Sequence, residues 1–164
     1  MIAVTADKRA AAEAFWRFSL MVYARPGVAA ALIGLQDRAG HNVNLILFGI
    51  WLAAGCRRSL DRADLARSHA AIEKFDGSVV SPLRTLRRTL KSDPDPDVQN
   101  LRRRVLALEL VAERCVQARL AETVAGRAGN GKRTALTTAN LKLILGADFI
   151  SPEAAALRQA IADL

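Results

Sequence analysis

Four basic side chains, Arg84, Arg87, Arg88 and Lys91, stand at i, i+3, i+4 and i+7, so a helix through them presents all four on one face. Leu83, Leu86 and Leu90 form an apolar stripe beside them, and Arg102, Arg103 and Arg104 follow after a short loop. Residues 82–104 hold seven basic and three acidic side chains. Clustered guanidinium groups of this kind are suited to bidentate recognition of carboxylate or phosphate. Three readings stay open: a solvated face, the docking surface for an anionic partner, or an internal ion pair such as Arg84 with Asp37. For the partner, an anionic protein is expected ahead of an anionic membrane surface or nucleic acid, because the stretch carries no helix-turn-helix pattern and the aromatic residues fall at core positions.

A second polar group lies in LQDRAGHNVN, where Gln36, Asp37, His41, Asn42 and Asn44 interrupt two strongly apolar segments. An Asp near a helix C-terminus opposes the dipole, and an Asn inside an apolar helix is costly unless its amide is bonded. Either these groups satisfy the turn and cap the next helix, or they line a polar pocket with Tyr23, Gln36, Asp37 and Asn44 at its wall.

Residues 126–134, GRAGNGKRT, approach the phosphate-cradling pattern G-x-x-x-x-G-K-[ST]. Arg133 occupies the position of the Mg²⁺-binding hydroxyl, and the residues before the loop read as a long helix rather than a strand. The stretch is expected to join two helices, with Gly126 as terminator and Gly129, Asn130 and Gly131 supplying turn conformations. The only histidines, His41 and His69, fit no H-x-x-x-H frame. DPDPDVQ at 93–99 is acidic, but its prolines make it a loop and not a ligand-bearing helix face. No catalytic, metal-ligating or cofactor-binding residue is assigned.

These groups must be held by helices. The 164 residues are 51% hydrophobic and 24% charged with a net charge of +8, and 19 of the 24 basic residues are Arg. Alternating strand patterns are absent, and the expectation is an all-α bundle of about eight helices in one domain, residues 1–164. VNLILFGIWLAAGC, residues 43–56, is apolar round its whole circumference but too short to span a bilayer, so it is read as the buried central helix. Breaks are expected at Arg25-Pro26-Gly27, Gly40, Asp76-Gly77, KSDPDPD and the glycine loop. Asn42, Ser59, Ser81, Asp95 or Asp97, and Ser151 are the expected caps. The longest helix, from about residue 97 to 125, has an expected core stripe of Leu101, Val105, Leu108, Ala112, Cys115, Val116, Leu120 and Val124. Cys56 and Cys115 read as buried free thiols. With no signal-peptide core at the start and no transmembrane segment, the cytoplasm is the expected compartment.

FWRFSLMVYARPGV (15–28), LQDRAGHNVNLILFGIWLA (35–53) and PLRTLRRTLK (82–91) together resemble an uncharacterised proteobacterial family, domain of unknown function 2390, of small cytosolic helical proteins. The resemblance implies an all-helical fold and carries no activity, substrate or cofactor with it. Function therefore rests on two readings. One is a non-catalytic interaction or regulatory protein that engages an anionic partner through the 84–104 cations. The other is a small-molecule or lipid-binding protein with a pocket near residues 36–44, open to catalysis.

Overall fold

The chain turns at Gly27 and Gly40 because both adopt the left-handed backbone, φ 83° and 72°, that glycine enters without a Cβ clash. These turns separate α1 (Ile2–Tyr23), α2 (Val28–Ala39) and α3 (Val43–Ala54), and the axes of α1 and α2 meet at 101°. The computed structural model describes residues 2–124 and 129–164, with side chains from residue 8 onward. Among these, α4 (Arg62–Phe75), α5 (Ser81–Thr89), α6 (Pro96–Glu122), α7 (Arg133–Leu145) and α8 (Pro152–Ala160) complete an all-helical fold without strands.

Three expected caps are in place. Asn42 accepts from the N–H groups of Asn44 and Leu45, Asp95 from that of Asp97, and Ser151 from that of Ala154. Each satisfies a donor that the first helical turn leaves without an intrahelical partner. The fourth helix differs: Asp61 and not Ser59 caps it, accepting from Asp64 N–H. Asp76-Gly77 does not stop it either. A π-turn at Asp76–Val80 carries the helix directly into α5, so the eight α-helical segments form seven separate helical stretches. The reason is Pro82, which has no N–H and whose ring would strike a carbonyl one turn back in a regular α-helix. Widening that turn, with Ser81 N–H bonded to Asp76 O, accommodates it, and Ser81 is helical rather than a cap.

α3 is the central rod. Every residue from Asn44 to Ala53 is buried, and α7, α6, α1 and α2 pack round it. Phe15 stacks on Trp51 with ring centroids 5.0 Å apart, and Phe48 packs against both. α7 approaches α3 at Gly49, where an added Cβ would stand 2.4 Å from the Ile144 side chain. Asn140, fully buried in the same contact, accepts from Leu60 N–H (2.7 Å) and donates to the carbonyls of Gly49 (2.9 Å) and Arg58 (3.1 Å).

The described part of the glycine loop leads into α7, as a helix connection should, and bonds to the segment after α3. Gly129 N–H bonds to Cys56 O and Gly131 N–H to Arg57 O. Gly131 does not have positive φ. Gly129 is needed because a Cβ there would lie 2.2 Å from Arg57 O. Gly126 lies outside the described residues.

The expected stripe of α6 is buried only in part. Val105, Ala112, Val116, Leu120 and Val124 face the core, as expected. Leu101, Leu108 and Cys115 are exposed, and Cys56 is only half-buried. Spaced by seven residues, Leu101, Leu108 and Cys115 lie on the outward side, while Glu109 and Gln117 take buried positions. Partners on other helices make those polar positions tolerable, and a one-helix pattern cannot show them. Among the described residues no single helix is long and apolar enough to cross a membrane.

Candidate functional site

α5 packs against α6, and that pairing decides where the arginines go. Glu109 on α6 is only 4% exposed. It accepts from both Nε and Nη2 of Arg87, the latter at 3.2 Å, and its Oε1 is 3.4 Å from Arg84 Nε. Arg84 also donates to Glu113 at 3.0 Å. Two guanidinium groups and two carboxylates thus form one partly buried network, in which neither sign is left in excess. The carboxylate bonds hold the Arg87 guanidinium above its ordinary range. The Arg84–Asp37 pair entertained from sequence does not form. Arg88, one turn further along α5, reaches Asp37 instead, at 2.7 Å.

Beside this network opens a cavity of about 630 Å³ between α1, α2, α3, α5 and α6. Tyr23, Gln36, Asp37 and Asn44 all line it, and so do Arg84, Arg87, Arg88, Lys91 and Arg102. The two groups, joined in the sequence analysis only through the Arg84–Asp37 option, share one hollow. Arg103 and Arg104 do not join them, being exposed on α6 away from the cavity. Five cations stand against three carboxylates, Asp37, Glu109 and Glu113, leaving a surplus of positive charge. Lys91 and Arg102 have no carboxylate partner among the described residues. Trp16, Leu20, Ile33, Val43, Leu47, Leu106 and Leu110 give the cavity its apolar walls, and the sequence reading named none of them for this role. The available signal was the i, i+4 spacing of Arg102, Leu106 and Leu110, which puts charge and hydrocarbon on one line.

At its buried end the cavity meets Ser19, Asn44 and Gln117, which are 3%, 2% and 2% exposed. Gln117 donates to Asn44 Oδ1 at 2.8 Å, but its own carbonyl oxygen and Ser19 Oγ find no partner among the described residues. Arg102 Nε is likewise buried and unpartnered. Elsewhere polar groups serve structure. His41 Nε2 meets Asp148 at 2.9 Å and ties the α2–α3 turn to the segment before α8.

Burial pushes the Glu113 carboxyl above the ordinary glutamate range, and the Arg84 bond offsets that only in part. Burial also raises the Tyr23 phenol, with Glu113 adding to the effect and Arg84 and Arg87 opposing it. A carboxyl that holds its proton more tightly when folded contributes stability that is full below about pH 4.5, its unfolded value, and lost as pH rises through its folded value. Glu113→Gln removes that loss. Melting temperatures of wild type and Glu113→Gln between pH 4 and 8 are expected to diverge in favour of the variant as pH increases. Parallel curves would contradict the burial argument.

The profile of a family described as a protein of unknown function, DUF2390, matches residues 14–120. The chain belongs to that family. The DUF2390 segment runs from the second half of α1 to the last turn of α6, and every cavity-lining residue, Trp16 through Gln117, falls inside it. In this DUF2390 chain α7 and α8 lie beyond the match and line none of the cavity. No curated protein and no solved structure matches the chain.

Proposed function

We propose that this protein binds a small amphipathic anion in the cavity between α1 and α6. The observation that carries the reading is the hollow of about 630 Å³, a size typical of ligand sites, with hydrocarbon walls and a surplus of cations. Arg84 and Arg87 are engaged with Glu109 and Glu113, so they frame the cavity rather than seize the ligand. Lys91 and Arg102 take the anionic group, and Arg88 joins them by exchanging Asp37 for it. Trp16, Leu20, Leu106 and Leu110 cover the apolar body. This makes the protein a carrier or sensor of its ligand, and no residue is assigned a chemical step.

Calorimetric titration with dodecanoate, dodecanol and dodecyltrimethylammonium, all below their micelle concentrations, tests this. Dodecanoate is expected to bind best and to weaken with added salt. The Lys91→Glu, Arg102→Glu double variant is expected to lose at least tenfold in affinity. Equal affinity for dodecanol, or an unaffected double variant, overturns the reading.

A protein-facing reading keeps one specific support: Arg103 and Arg104 are exposed, outside the cavity and next to exposed Leu101 and Leu108. An acidic protein partner would engage that face. Capture of the partner that survives Arg103→Glu with Arg104→Glu would remove this alternative.

A further inference from the structure

Building on the proposed amphiphile site, we infer that its ligand carries a second polar group, a hydroxyl or an amide N–H, at the end remote from the anion. The cavity-facing residues of α6 run Arg102, Leu106, Glu109, Leu110, Glu113 and Gln117, with Glu109 and Glu113 held by Arg87 and Arg84. Fifteen residues of α-helix separate the first from the last, a span of about 22 Å. One end therefore carries Arg102 without a carboxylate partner, the middle sets Leu106 and Leu110 beside the paired charges of Arg84, Arg87, Glu109 and Glu113, and the far end holds the amide of Gln117.

That far end is unusual for a protein interior. Ser19 and Gln117 are each at least nine-tenths buried, yet Ser19 Oγ and Gln117 Oε1 have no hydrogen-bond partner among the described residues. Buried polar atoms are nearly always paired, and an unpaired one costs folding free energy. Gln117 is not free to turn away, because its amide N–H is held by Asn44 Oδ1 at 2.8 Å. Its carbonyl oxygen is fixed as an acceptor, and Ser19 offers a hydroxyl that either donates or accepts. A ligand O–H donating to Gln117 Oε1 while accepting from Ser19 Oγ satisfies both atoms at once. A plain hydrocarbon terminus satisfies neither and leaves the site with unpaired groups, the situation in which proteins discriminate most strongly between analogues.

The probes are ω-hydroxy fatty acids of eight to sixteen carbons, each titrated beside its unsubstituted parent acid into the full chain. At the chain length that fits, the hydroxy acid is expected to bind at least tenfold more tightly than its parent. Ser19→Ala and Gln117→Met, tested separately, are expected to reduce that preference to about twofold or less. Two variants at different helices guard against one of them failing to fold. Parent acids that bind as well as hydroxy acids at every length overturn this inference and leave the amphiphile site standing. A preference that survives both substitutions overturns the assignment to Ser19 and Gln117. No binding by either series overturns this inference and the proposed function together.

Discussion

Glu109→Ala is expected to lower the unfolding free energy by about 3–5 kcal/mol, the usual consequence of removing one partner from a buried ionic network. Glu109 is nearly inaccessible and receives both bonds of Arg87, with Arg84 alongside. Alanine leaves two guanidinium groups, with side chains 17% and 24% exposed, facing each other across a gap, and only Glu113 remains to balance them. The effect comes from stranded charge rather than from lost attraction. Replacing Glu109 and Arg87 together by methionine, which leaves the Arg84–Glu113 pair intact, is therefore expected to recover most of the loss, since hydrophobic residues of similar volume substitute well for buried ions. Urea unfolding reads both results. Glu109→Ala should shift the midpoint downward with the slope unchanged, and a double variant no better than the single one would refute the charge argument.

Asn140→Ala is expected to cost about 2–4 kcal/mol, and Asn140→Asp more still. The Asn140 side chain joins three backbone groups: Leu60 N–H, Arg58 C=O and Gly49 C=O. Arg58 and Leu60 lie in the segment between α3 and α4, which has no helical ladder of its own to satisfy them. Alanine abandons them. Aspartate keeps the acceptor for Leu60 N–H but turns a carboxylate oxygen toward two carbonyl oxygens, replacing two attractions by repulsions in a site with no water access. Thermal melts of both variants at neutral pH give the comparison, and an Asn140→Asp protein as stable as wild type would show that the amide is not the connector.

Much of the scaffold was legible because it depends on neighbours in sequence. The apolar circumference of 43–56 marks a surrounded helix, and the side chains of Asn42, Asp95 and Ser151 reach donors only two or three residues ahead. The π-turn was not legible, because the chain can answer Pro82 either by stopping or by widening a turn. The site was half legible. Tyr23, Gln36, Asp37 and Asn44 stood out as misplaced polarity, and Arg84 to Lys91 as a charged row, yet nothing local says that one faces the other. The bonds from Arg84 and Arg87 to Glu113 and Glu109 close over 29 and 22 residues, so they exist only once α5 is laid on α6. The outward Leu101, Leu108 and Cys115 misled for the same reason: periodicity identifies faces without saying which is covered.

The widened turn at Asp76–Val80 sets the angular phase of everything after it. Each residue advances a helix by about 100°, so one residue added to or taken from that turn rotates the whole arginine row by more than a quarter of a circle. Arg84 and Arg87 would then swing away from Glu109, and Arg88 away from Asp37, although no ion-pairing residue had changed. The length of an unremarkable DGSVV segment is thus the dial that aims the cations, and insertions or deletions there are far less tolerable than substitutions.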